Sequence, residues 1–128
     1  MMNKGLAQYQ QVNVNAGVEG ASPHRLIQML MEGVLQRLAE AKGAIQRGAM
    51  ADKGTAMGKA ITIVSGLRDS LNKEVESEIS TNLDDLYDYM QRRMLEANLA
   101  NSEEMVDEVM ALMRTVKSGW DGIAESVA

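Results

Sequence analysis

Residues 101–123 read NSEEMVDEVMALMRTVKSGWDGI, and within them Val106, Val109, Met113, Val116, Trp120 and Ile123 recur at spacings of 3, 4, 3, 4 and 3. That period gathers six apolar side chains on one face of an α-helix, whereas a strand would scatter them over both faces. Asn101 and Glu104 have the spacing of a capping box, which predicts the helix start. Glu103, Glu104, Asp107 and Glu108 come first and Arg114 and Lys117 last, the order that the helix dipole favours. A helix with one apolar face is not stable alone in water, so this stretch demands neighbours to cover it.

Working back along the chain supplies them. Ile79, Leu83, Leu86, Met90, Met94 and Ala97 form another helical stripe that ends near Asn101, preceded by a charged connector over Asn72 to Ser77. From about Asp52 a third stripe runs through Met57, Ile61, Val64, Leu67 and Leu71. Gly54, Gly58 and Gly66 interrupt it, each lowering intrinsic helicity by roughly 1 kcal/mol relative to Ala, so this helix depends on tertiary packing. The earliest stripe is Ile27, Leu30, Val34, Leu38, Ala41 and Ile45, opened by Ser22 as N-cap with Pro23 at the first helical position and stopped by Gly48. Four helices joined by short connections pack antiparallel to their sequence neighbours, which predicts an all-α, up-down four-helix bundle over residues 22–128. Residues 1–21 are rich in Gln, Asn and Gly but carry Leu6, Tyr9, Val12 and Val14, and read as an arm that docks weakly rather than as part of the bundle.

Composition narrows the function. The chain has 128 residues, no Cys and one His, which removes thiolate chemistry and any multi-His metal site, and that one His, at a helix start, is given no catalytic role. A net charge of −5 without clustered Lys and Arg excludes a nucleic-acid backbone as ligand, and no apolar run has the length of a membrane span. No cofactor is expected, and the chain reads as a cytoplasmic binding protein rather than an enzyme. The first two helices hold seven bases and four acids, and residues 78–128 four bases and eleven acids, so opposite signs help the two hairpins associate. Asp84, Asp85 and Asp88 read as a solvated acidic face, and His24, in the first turn of its helix, as a surface residue.

Apolar residues exceed what one stripe per helix needs. Leu26, Met31 and Leu35, Ile63, Tyr87 and Leu95, and Met105, Met110 and Leu112 lie beside the core sets, and eleven methionines suit a surface that accepts helical ligands. Tyr87 and Tyr89 stand about 200° apart around their helix, so they cannot both be core. Asn82, Tyr89 and Arg93, at spacings of 7 and 4, make one polar and aromatic strip that can hydrogen-bond a peptide as well as pack it. The same surplus would also serve a bundle that self-associates, as a homodimer does.

Three strings carry a family resemblance: Gly5-Leu6-Ala7-Gln8-Tyr9-Gln10-Gln11-Val12, Ala21-Ser22-Pro23-His24-Arg25-Leu26-Ile27-Gln28-Met29-Leu30, and Asn82-Leu83-Asp84-Asp85-Leu86-Tyr87-Asp88-Tyr89-Met90-Gln91-Arg92-Arg93 with Ala97-Asn98. In this order, with Trp120 near the end of a fourth helix, they closely resemble the flagellin-specific secretion chaperones of bacterial flagella. The resemblance implies an antiparallel four-helix bundle that binds the C-terminal segment of flagellin in the cytoplasm, prevents premature polymerisation and delivers it to the type III export gate. It implies that the arm, at Leu6 and Tyr9, covers part of an apolar groove. It carries over Asn82, Tyr87, Tyr89 and Arg93 as groove or groove-supporting positions, and the apolar Leu26, Leu30, Met31, Leu86 and Met90 of the stripes and their surplus complete the expected partner-binding set. Some relatives are also reported to contact a flagellar anti-sigma factor. Two departures stand out: Met31 replaces an aromatic residue, and Glu76-Ser77 a pair of glycines.

Overall fold

The computed structural model describes residues 20–71 and 78–123. They form four helices, α1 (Pro23–Arg47), α2 (Met50–Asp69), α3 (Glu78–Ala100) and α4 (Glu103–Asp121). Each helix packs against its sequence neighbour, and α1 closes the ring against α4. Cross-helix bonds fix the directions: Lys42 Nζ reaches Asp107 Oδ1 at 2.9 Å from the end of α1 to the start of α4, and Arg68 Nε reaches Asp84 Oδ1 at 3.0 Å from the end of α2 to the start of α3. The architecture is the antiparallel up-down bundle that the four stripes require. The arm, with Leu6 and Tyr9, and the connector over Asn72 to Ser77 lie outside the described residues.

Local chemistry sets the boundaries. Ser22 Oγ accepts from the Arg25 N–H at 3.1 Å and Pro23 opens α1. Gly48 adopts φ 70° and lets the Gly48 and Ala49 N–H groups bond Ile45 and Ala44 carbonyls, a left-handed closure that glycine makes without steric cost. The junction of α3 and α4 corrects the expected capping box. Asn101, at φ 51°, is the left-handed residue that ends α3, with the Ser102 N–H on the Ala97 carbonyl at 3.1 Å. Ser102, not Asn101, caps α4 by accepting from the Met105 N–H at 3.1 Å. A two-residue connection leaves one residue to close the first helix and one to open the second, and Asn tolerates the left-handed role.

The core is built from Val34, Leu38 and Ala41 of α1, Ala60, Val64 and Leu67 of α2, Met90, Met94 and Ala97 of α3, and Val106, Val109 and Met113 of α4, all buried. Ile79 departs from the expected stripe and is 73% exposed. Arg68, at the end of α2, is already level with Asp84, so among the described residues the first turn of α3 projects past the last turn of α2. His24 is also corrected: it is buried, its ring stacks on Trp120 at 5.0 Å, its Nε2 bonds the Trp120 carbonyl at 2.9 Å, and the Trp120 indole N–H donates to the His24 carbonyl at 3.0 Å. The acidic face is not wholly solvated either, because Arg68 pairs with both Asp84 and Asp88.

Two outcomes test this packing. Ser102→Ala should cost about 1 kcal/mol in urea unfolding, the usual worth of an N-cap side chain. Burial pushes the Tyr87 hydroxyl up to about 12 from 10.0. The stabilisation that Tyr87 gives by staying neutral is therefore complete below pH 10.0 and fades as pH climbs toward about 12. An absorbance titration should show a late phenol that disappears in Tyr87→Phe.

Candidate partner-binding furrows

Helix α3 presents different chemistry to its two neighbours, and that difference divides the expected site. Leu26, Leu30 and Met31 of α1 and Tyr87 and Met90 of α3 are buried in the core, at most 3% exposed. The physical reason is the width of the stripes: a bundle helix commits about three positions in seven to the interior, and these five fall inside that arc. In the free bundle these five side chains are interior. Met110 belongs with them, at 9% exposure.

The other four α3 positions converge. Asn82, Leu86, Tyr89 and Arg93 all lie on the side of α3 that faces α4, with Asn82 exposed and the rest partly buried. The Tyr89 hydroxyl donates to Glu108 of α4, Arg93 Nε donates to the same carboxylate at 2.9 Å, and Arg93 also bonds Glu96 at 3.0 Å. The Arg92 guanidinium lies 5.7 Å from the centre of the Tyr89 ring. These bonds, Tyr89's first and Arg93's second, hold the Glu108 carboxyl below its usual range, and the hydrogen bond to Glu108 raises the Tyr89 hydroxyl. One turn beyond this clasp, Leu83 and Leu86 of α3 and Leu112 and Val116 of α4 are partly buried against the core, and the same end of the bundle carries exposed Ile79 and Ile123. A shallow apolar furrow thus runs along the α3–α4 seam, bounded by a polar clasp.

The α2–α3 seam closes along one half and opens along the other. Gln91 Nε2 reaches across to the Ile61 carbonyl at 3.1 Å and Ser65 Oγ at 2.8 Å, and Arg68 Nη1 donates to Gln91 Oε1 at 3.0 Å. At the far end, the Lys53 ammonium donates to the Asn98 carbonyl at 2.7 Å and to Asn101 Oδ1. Between these two bars, the antiparallel register sets Leu95 level with Gly58 and Leu99 level with Gly54. Gly54, Gly58, Ile61 and Ser65 share one stripe of α2, at spacings of 4, 3 and 4. A Cβ built on either glycine would meet nothing within 4 Å, and Leu95 and Leu99 are 54% and 85% exposed. The glycines leave this stretch of α2 without side chains, beside two exposed leucines of α3.

Sequence reasoning marked Leu95 as surplus but missed Leu99, Gly54 and Gly58. The available signal was a pair of leucines four residues apart and off the core stripe, facing a helix whose own stripe is broken by glycine. The α1–α4 seam is polar: Gln46 bonds Glu103 at 2.7 Å, Lys42 bonds Asp107, and Gln28 bonds Asp121 at 2.8 Å. Among the described residues, no helix is long and apolar enough to cross a membrane.

A family model described as "Flagellar protein FliS" matches residues 5–127. The flagellar secretion chaperone FliSB of Pseudomonas aeruginosa is 53% identical over 121 residues, covering 94% of this chain and 96% of that protein. Flagellar secretion chaperone FliS of Vibrio cholerae is 41% identical over 122 residues, with 95% and 90% covered. The FliS of Salmonella typhimurium is 42% identical over 121 residues, with 94% and 90% covered. The match takes in the bundle with both furrows flanking α3 and extends into the N-terminal segment, and on that ground the chain belongs to the FliS family of flagellar secretion chaperones.

Proposed function

We propose that this chaperone binds the C-terminal segment of flagellin in the cytoplasm, keeps it from polymerising before export, and presents it to the export gate without making or breaking a covalent bond. The observation that carries this reading is the exposure of Leu95 and Leu99 over Gly54 and Gly58 on one side of α3. Buried leucines stabilise a fold, whereas leucines held in water cost solvation free energy that a partner recovers by covering them. A filament subunit's tail forms amphipathic helices, and an apolar helix face laid against such a furrow is the helix-in-groove mode of recognition. With a second furrow on the α4 side, a segment that bends around α3 reaches both surfaces. Asn82, Leu86, Tyr89 and Arg93 then contact it from the α4 side.

The arm completes the reading. Residues 1–21 precede a bundle that begins beside the His24–Trp120 clasp, at the end that carries Ile79 and Ile123. Leu6 and Tyr9 cover part of the α3–α4 furrow in the free protein and give way when flagellin arrives. Contacts with the export gate and with an anti-sigma factor belong to the same proposal, on faces left free by the client.

Sedimentation with and without the isolated C-terminal segment of flagellin should give a client-dependent 1:1 species. A homodimer indifferent to the segment would assign the exposed leucines to self-association instead. The double variant Leu95→Ala, Leu99→Ala should weaken capture by about ten-fold or more, from the loss of two buried leucine contacts, while unfolding changes little because both side chains are exposed in the free bundle. Tyr89→Ala should weaken capture with helicity retained. Deleting residues 1–20 should raise binding of a hydrophobic dye to the free protein, and unchanged dye fluorescence would remove the arm from the furrow.

A further inference from the structure

Three donors on α3 converge on one carboxylate of α4. Tyr89 donates its hydroxyl proton to Glu108 Oε2, and Arg93 sets both Nε and Nη2 at 2.9 Å from Glu108 Oε1. The Arg92 guanidinium, 5.7 Å from the centre of the Tyr89 ring, adds a second cation beside the phenol. Stability gives a weak account of this arrangement. The side chains of Arg93 and Glu108 are 26% and 35% exposed, and water competes for a partly exposed ion pair. Met90 and Met94 of α3 and Val109 and Met113 of α4, fully buried in one core, already hold the two helices together. Arg93 also has another acceptor, Glu96 Oε2 at 3.0 Å, so it stays paired without Glu108. The three donors describe a receptor for a carboxylate, and Glu108 shows how one fits. Residues 78–128 hold four bases and eleven acids, so an acidic group approaching α3 and α4 is repelled along most of their length. Arg92 and Arg93 are two of those four bases, and they stand together here. Tyr89 lies three residues beyond Leu86 and Arg93 four residues beyond Tyr89, so the receptor begins one helical turn from the apolar furrow.

We propose that Tyr89 and Arg93 form a carboxylate-binding site for the client, in which an Asp or Glu side chain of the bound segment takes the place of Glu108. The inference rests on the reading of the α3–α4 furrow as part of the flagellin site and names the chemistry that its polar end selects. Glu108 is then an internal competitor. In the free protein it keeps the donors satisfied, so the site does not stand open to any small anion. On binding it swings into water and recovers its hydration, while the incoming carboxylate accepts the same charge-assisted bonds from the Tyr89 hydroxyl and the Arg93 guanidinium. One carboxylate replaces another, so the exchange adds little affinity of its own. Its effect is discrimination: a segment with a neutral or basic side chain at this point gains nothing from the donors, whereas an acid one turn from its apolar face fixes the register of the bound helix.

The test is calorimetric titration of the full chain with the isolated flagellin C-terminal segment, comparing wild type with Glu108→Ala. Removing the competitor should tighten binding about ten-fold, the factor recovered when the internal carboxylate occupies the donors about nine-tenths of the time. Glu104→Ala controls for charge: it deletes an exposed acid one turn earlier on α4 and should change affinity by about two-fold or less, as a screened surface charge does. Tyr89→Phe added to Glu108→Ala should cancel most of the gain at unchanged helicity. A segment with its Asp and Glu residues replaced by Asn and Gln should bind wild type and Glu108→Ala alike. The proposal is overturned if Glu108→Ala binds no more tightly than wild type, if Glu104→Ala gives an equal gain, or if the neutralised segment keeps the gain. Should Glu108→Ala lose helicity, Glu108→Gln, which keeps the side chain's size and removes its charge, carries the same expectation with a smaller gain. If Leu95→Ala with Leu99→Ala weakens capture and Glu108→Ala brings no gain, the flagellin reading stands and the carboxylate site falls. If wild type fails to bind the segment at all, the flagellin reading itself falls.

Discussion

Helix α3 is held to α2 by three polar crossings, and the rest of the molecule's surface chemistry depends on where they lie. Arg68 takes Asp84 and Asp88, Gln91 takes the Ile61 carbonyl and Ser65, and Lys53 takes the Asn98 carbonyl and Asn101. These bonds fix the register of α3 against α2, whose glycines give it few side chains of its own along this seam. Charged and amide side chains can do this because their hydrogen bonds are directional, unlike apolar contacts. Arg68 shows the coupling: its hydrogen bond to Asp84, followed by the pull of both aspartates, raises its affinity for the proton. With the register set by polar bars, the stretch between two of them need not be sealed by side chains, and it is not.

The interior complements this arrangement. Met31, Met57, Met90, Met94 and Met113 are among the largest fully buried side chains, and every helix supplies at least one. The chain contains no Phe, and Tyr87 is the aromatic residue that the buried core does include. Unbranched thioethers have more accessible rotamers than Leu or Ile and fill irregular space, so the core accommodates changes of helix position at low energetic cost. Directional bonds at the seams and pliable filler inside divide the work between holding register and accommodating movement.

Much of the fold was legible because its signals are local. The stripe from Val106 to Ile123, Ser22 before Pro23, and Gly48 after Arg47 each state a helix or its end within a few residues. What escaped was set by residues far apart in sequence. Burial of His24 depends on Trp120, 96 positions away, and the exposure of Ile79 depends on where α2 stops. Asn101 and Ser102 are both good capping residues, and only the two-residue length of the connection decides which helix each one serves. The candidate site was legible in part. The strip of Asn82, Tyr89 and Arg93 on one face of α3 follows from helical spacing, and the structure sets Leu86, which spacing put in the core stripe, on that same side, partly buried. Leu26, Met31 and Tyr87 looked like surplus because spacing gives direction but not the width of the buried arc. The open half of the α2–α3 seam is a property of two helices in register, and neither sequence stripe contains that register.

The clasp between His24 and Trp120 gives the bundle two unlike poles. At one pole the backbone enters at Gly20 and leaves at Ile123, with the two crossing points riveted together by reciprocal hydrogen bonds. At the other, tight turns at Gly48 and Asn101 join the helices in pairs, with no free strand of chain. The described chain therefore enters and leaves at one pole, while Leu99 and the mouth of the α2–α3 furrow lie toward the opposite one, so the two ends of the bundle are chemically unlike surfaces.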